Sequence, residues 1–260
     1  MTISKKIGIA LGSFGSANRF VKRHNLWHFV YIPGILNVFL FYFSFNWFIG
    51  GVADWVSGIF DLDCENGYFE WLCYGISAIA GFLEVFVKWF LYVAFIGLYL
   101  SIYKSVLLIM YSPVLAYLVE IVEKKHKGID EPFKMQQFIQ DTLRGIILAV
   151  RGLFLEGLAV LALFIMAFIP IINILQPFLL WLVGAYFLGV SMLDYTLERK
   201  GMNVKESIVY SKKYKSLATG IGSVFQLVFL IPFLGWMFAP TYSVIAAYFA
   251  VEELENIDNQ

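Results

Sequence analysis

The side chains best able to do chemistry in this chain are few and scattered. Three histidines, His24, His28 and His126, and two cysteines, Cys64 and Cys73, supply all of its imidazoles and thiols. Their positions match no metal-ligand spacing, because zinc sites draw on closely spaced pairs of such residues. No phosphate-cradling loop, metalloprotease helix or serine-nucleophile elbow occurs, so the chain carries no enzyme signature and implies no metal or cofactor. What remains is charge inside apolar stretches. Glu84 and Lys88 stand four apart, in the favourable order for a helical ion pair. Arg151 and Glu156 flank the start of GLFLEGLAVLALFIMAF, where the carboxylate pairs with Arg151, pairs with a neighbour, or lines a polar path. Lys104 is placed to extend its ammonium toward a membrane surface.

Backbone groups are the other source of chemistry, and two proline corners expose them. IPIINILQPFLLWLVGAYF, 169 to 187, and IPFLGWMFAPTYSVIAAYF, 231 to 249, share an Ile-Pro start, a second proline and an Ala-Tyr-Phe end at an offset of 62. This is a weak internal repeat. Both prolines of each copy fall where a long apolar run is expected to turn. Broken backbone within a membrane must be satisfied by protein or water, and half-helix ends there present free N–H or C=O groups. Pro170, Asn173 and Pro232 are therefore candidates for lining a pathway, or equally for forming a tight interhelical corner.

The elements that would hold these groups are membrane helices. Hydrophobic residues make up 60% of the 260 and charged residues only 15%, whereas about a quarter of a soluble domain is charged. Nineteen Lys and Arg balance nineteen Asp and Glu, which gives no basic field for nucleic acid. Residues 1 to 48 hold Lys5, Lys6, Arg19, Lys22 and Arg23 with no acid, and residues 51 to 70 hold five acids with no base. That asymmetry predicts a cytoplasmic N-terminus and an outer acidic loop over 51 to 67. Cys64 and Cys73 lie in or beside that loop, either bridged or as free thiols. No short apolar region with a small-residue cleavage site precedes the first long run, so no removed signal peptide is expected.

Residues 1 to 26 pattern as an amphipathic helix on the inner leaflet, with Ile3, Ile7, Ala10, Leu11, Phe14 and Val21 at helical spacing. Residues 27 to 50 suffice for a first span. Residues 68 to 112 contain no proline and form a second helix of roughly 67 Å, about twice the membrane thickness. Pro113 is expected to break it before an amphipathic segment ending in Lys124, Lys125, His126 and Lys127. Residues 145 to 193 form a hairpin with basic flanks on both sides, and residues 217 to 251 form a second. The latter's first arm, of roughly 21 Å, is too short to cross. Both termini are expected in the cytoplasm.

FVYIPGILN with Pro33 and Asn37, SPVLAYLVEIVEKKHKG with Pro113, Glu120 and Glu123, and LDYTLERKGMNVKES with Asp194 and Tyr195 together resemble the CysZ-type sulfate permeases and the etoposide-induced-protein family. The likeness runs in order along nearly the whole chain, as one domain over 1 to 260. It implies an all-α integral membrane protein with two long transmembrane helices and two partly penetrating helical hairpins. It further implies sulfate uptake for cysteine synthesis, an inner-membrane location and a homo-oligomer. In the family a Gly-hydrophobic-Arg-Arg element before the first span holds the oxyanion. Here the matching positions are Asn25, Leu26, Trp27 and His28, with neither arginine. A site would then use their backbone N–H groups at a helix start, with Arg23, Lys22 or a protonated His28 supplying charge. The alternative is a membrane scaffold that keeps the family fold without transport.

Overall fold

The computed structural model describes residues 2–60, 70–128, 135–166, 170–231 and 233–258. Every regular element among them is an α-helix: α1 Ile3–His24, α2 Trp27–Phe60, α3 Glu70–Lys127, α4 Met135–Met166, α5 Pro170–Arg199, α6 Val204–Lys213, α7 Lys215–Phe229 and α8 Leu234–Asp258. Four helical segments among the described residues, Trp27–Phe48, Thr142–Leu163, Leu175–Arg199 and Leu234–Asp258, are long and apolar enough to cross a membrane. Their hydropathy, with no strand among the described residues, makes this an all-α membrane protein.

Several boundaries differ from the sequence expectation. The first span, α2, does not end at Gly50 but continues to Phe60, so Asp54 is an exposed helical residue rather than part of a loop. Glycines are readily carried inside apolar membrane helices. Pro113 does not break α3, which runs through it for 58 residues. Beyond the proline, Leu115, Leu118, Val119 and Val122 are fully buried, and this packing holds the continuation in line. Pro177 and Pro240 likewise lie inside α5 and α8, so the second proline of each repeat copy does not turn the chain. Pro170 is the first residue of α5, the position where a missing N–H costs nothing. Pro232, Cys64 and the outer loop beyond Phe60 lie outside the described residues. Between Arg199 and Lys215, read from sequence only as a basic flank, the chain forms α6. Its capping box has Asn203 Oδ1 accepting from the N–H groups of Lys205 (3.0 Å) and Glu206 (3.1 Å), while Glu206 Oε2 accepts from the Asn203 N–H at 2.8 Å.

The chain divides into two compact units. The first comprises Met1–Asn37 and Ser105–Gln260, and α8 is its central helix, packed against α1, α5 and α7. In the apolar window of α8, 72% of residues are buried, against none in that of α4, so α8 is a core helix and α4 presents its surface outward. The closest crossing joins α5 and α7. A Cβ on Gly189 would stand 1.7 Å from the Ala218 carbonyl oxygen, and one on Gly222 would stand 1.8 Å from that of Ala185. Small residues on both helices thus let the two backbones touch. The α7–α8 turn closes the same way, with Gly235 against the Val228 carbonyl and Phe233 held at φ 60. Leu230, Ile231, Phe233 and Leu234 remain exposed at its tip.

The second unit, Val38–Lys104, is an apolar segment with a broad exposed aromatic surface that includes Phe39, Tyr42, Phe43, Trp47, Phe82 and Trp89. Within it Phe41 stacks on Phe45 at 5.4 Å and Phe48 meets Tyr92 edge-on at 6.4 Å. Lys88 Nζ contacts Glu84 Oε1 at 2.6 Å, so the predicted four-residue ion pair forms.

Candidate functional site

The corner between α1 and α2 is built by one left-handed residue. Asn25 caps α1 at φ 54, ψ 48, a conformation asparagine tolerates better than most side-chain-bearing residues. Its N–H donates to the Val21 carbonyl, and so does the N–H of Leu26, at 3.1 Å. Two of the four amides expected to face a ligand are therefore spent closing α1. Trp27 and His28 start α2, where first-turn N–H groups have no intrahelical acceptor. Leu26 is buried and anchors the corner. Trp27 is half-buried against Tyr31 and Phe238, and His28 is exposed with its ring 4.2 Å from that of Phe29.

Immediately after the corner, Pro33 deprives α2 of one hydrogen bond. The carbonyl it would have paired with, four residues earlier, is that of Phe29. That oxygen instead accepts two hydroxyls, from Tyr111 at 2.6 Å and from Thr241 Oγ1 at 2.7 Å, and all three residues are buried. The family-like Ile-Pro of the first span thus fixes the start of α2 onto α3 and α8.

The other residues singled out from sequence do not gather at this corner. Arg23 lines a separate cavity between α1, α3 and α8, and none of Asn25, Leu26, Trp27 or His28 lines it. Arg151 is exposed and Glu156 half-buried on α4. Asn37 lies on α2, and Pro170 and Asn173 on the first turn of α5, with their side chains outside the description.

Sequence reading missed the main buried charge cluster of the first unit. Arg144 on α4 contacts Asp194 at 3.2 Å and Glu198 at 3.4 Å, both on α5, and donates to the Met202 carbonyl. Ser207 on α6 donates to the same Asp194 oxygen. Asp194 carried a motif, but its partners lie on other elements, and the one local clue was the Asn203-x-x-Glu206 box that starts α6.

A second network joins the ends of α3, α5 and α8. Arg199 Nε meets Glu123 at 2.9 Å, Lys127 meets Glu123 at 2.9 Å, and Lys200 bridges Glu252, at 2.8 Å, and Glu255. Burial alone would raise the Glu123 pKa, but its bonds and charges from Lys127 and Arg199 together hold the carboxyl below its ordinary range. Burial would lower Lys200, yet Glu252 and Glu255 outweigh it and push the ammonium pKa up. His24 is held below the usual imidazole value by burial, and by Lys125 and Arg23.

The family model for "Sulfate transporter CysZ/Etoposide-induced protein 2.4" matches residues 13–240. A protein of Pseudomonas syringae pv. tomato named sulfate transporter CysZ is 26% identical over 171 residues, covering 65% of this chain and 68% of that protein. One of Pseudomonas fluorescens bearing the same name is 26% identical over 182 residues, 67% of this chain and 72% of the relative. A Pseudomonas aeruginosa protein of that name is 24% identical over 242 residues, 92% and 93% of the two chains. The motifs, the all-α membrane fold and a match over most of the length agree, and the chain belongs to the sulfate transporter CysZ/etoposide-induced protein 2.4 family.

Proposed function

We propose that this protein is an anion permease of the sulfate class. It works in the inner membrane as a homo-oligomer, with both termini cytoplasmic and with hairpins α4–α5 and α7–α8 only partly inserted. The observation that carries the reading is the near full-length match to proteins named sulfate transporters. The 15-residue α7, roughly 22 Å long, supports partial insertion of the second hairpin, since a full crossing needs about 30 Å. The arms of the first hairpin are long enough to cross, so its depth rests on the family likeness.

The oxyanion is held at the α1–α2 corner. The free first-turn amides of Trp27 and His28 donate to it, the α2 dipole favours its charge, and the exposed His28 imidazole adds a side-chain donor. Such a site is weak, because it lacks the guanidinium pair that makes charge-assisted bidentate bonds.

Sulfate flux into liposomes, measured with His28→Ala beside the unaltered protein, tests this. We expect flux with the unaltered protein and slower flux with the variant. Absence of flux with either would replace the permease reading with the scaffold reading, which the missing arginine pair favours. Flux that His28→Ala leaves unchanged would move the site away from the corner.

A further inference from the structure

Ser16, Arg19 and Arg23 follow one another along one face of α1, and they meet His126 at the end of α3 and Phe249 on α8 around a cavity of about 380 Å³. Phe20 completes its floor, edge-on to Phe249 at 5.4 Å. Among the described residues neither arginine has a carboxylate partner; Arg19 bonds only the Ser16 hydroxyl, at 3.1 Å. Four acids on the two facing helices are committed elsewhere, while Glu253, one turn beyond Phe249 on α8, is exposed. Glu120 pairs with Lys124, Glu123 with Lys127 and Arg199, and Glu252 and Glu255 with Lys200. Neighbouring His24 is held below the usual imidazole value first by burial and then by the charges of Lys125 and Arg23. His126 Nδ1 lies 3.1 Å from the Tyr248 hydroxyl, which holds its ring in place at the cavity wall.

We propose that this cavity binds a phosphate-type oxyanion, with the two guanidinium groups and His126 on the oxygens and Phe20 and Phe249 beneath whatever the oxyanion is attached to. Guanidinium groups are the side chains that match such oxygens bidentately. A wall of cations over an aromatic floor suits an amphiphile better than a bare ion. α1 also presents Ile3, Ile7 and Leu11 outward, 69%, 39% and 55% exposed, as a helix seated at a bilayer surface does. The oxyanion is then a phospholipid headgroup, and free phosphate offers the same chemistry. The site is distinct from the α1–α2 corner and does not depend on transport.

The test uses delipidated full-length protein in detergent, with phosphatidylglycerol, phosphatidylcholine or inorganic phosphate added. Native mass spectrometry reads retained lipid and thermal unfolding reads protection by phosphate. The variants are Arg19→Gln/Arg23→Gln, the charge-matched control Lys212→Gln/Lys213→Gln on exposed positions of α6, and Ser16→Trp, which fills the cavity with both arginines kept. We expect phosphatidylglycerol retention to fall about tenfold in the arginine variant and in Ser16→Trp, and to persist in the control. Phosphate protection that is lost in the same two variants, without lipid retention, would assign the site to the free anion. Equal responses in all variants, or an equal loss in the lysine control, would overturn the proposal. Ser16→Trp decides the matter if the arginine variant does not fold.

Discussion

Pro33 has no N–H to give, and that missing donor organises the polar contacts at the start of α2. The Phe29 carbonyl it leaves free takes hydroxyls from Tyr111 and Thr241, either of which suffices to satisfy it. Tyr111→Phe or Thr241→Val alone should therefore cost about 0.5–1.5 kcal/mol. The double variant should cost more than the sum, because a buried carbonyl without any partner carries a penalty of about 1–3 kcal/mol. Thermal or denaturant unfolding in detergent measures this. Restoring the helical N–H with Pro33→Ala should shrink the cost of the double variant, and an undiminished cost would mean that the hydroxyls matter through packing alone.

At the scale of elements, the crossing of α5 and α7 depends on glycines that leave no room for a methyl group. Gly189→Ala and Gly222→Ala each push a Cβ to within 2 Å of a facing carbonyl oxygen, so each should destabilise by about 1–3 kcal/mol or more through overpacking. Gly8→Ala on the open side of α1, with nothing within 4 Å, should be neutral or slightly stabilising. Melting temperatures of the three variants decide this. Helix α6 depends on its cap, and Asn203→Ala should cost about 1 kcal/mol. The charge network tying α3, α5 and α8 sets a pH window. The raised pKa of Lys200 means that its contribution is complete at neutral pH and is lost as pH climbs past the ordinary lysine range. The depressed pKa of Glu123 means that its contribution is lost as pH falls through and below the ordinary carboxylate range. His24 adds a smaller loss below neutrality, because it takes a proton more readily once unfolded. Unfolding followed from acid to alkali should show a plateau near neutrality. Lys200→Met should remove the part of the alkaline fall that this residue causes.

For the whole molecule, the testable statement is orientation. With Cys64 and Cys73 replaced, an impermeant thiol reagent added outside should label Asp61→Cys and spare Lys213→Cys. The reverse pattern would invert the topology and place the α1–α2 corner on the other side of the membrane. The charge asymmetry of the first 70 residues motivates the expectation. The exposed apolar face of α4 leaves a large surface for lipid or for a second copy.

What the sequence determined by itself was what short-range chemistry dictates. Long apolar runs gave membrane helices, Glu84 and Lys88 gave an ion pair, and ordered motifs gave the family. The candidate corner was readable as a place but not in its hydrogen bonds, since nothing local says that the Asn25 and Leu26 amides turn back onto Val21. Tertiary structure alone decided the rest. Proline was the recurring misreading: it removes one bond locally, but Pro113, Pro177 and Pro240 stay inside helices. Whether a helix survives that loss depends on what packs around it and satisfies the freed carbonyl. At Pro33 the groups that do so lie 82 and 212 residues away from Phe29 along the chain. The same distance in sequence hides the meeting of Arg19, Arg23 and His126, because side chains from two helices line one cavity only after the helices between them have folded.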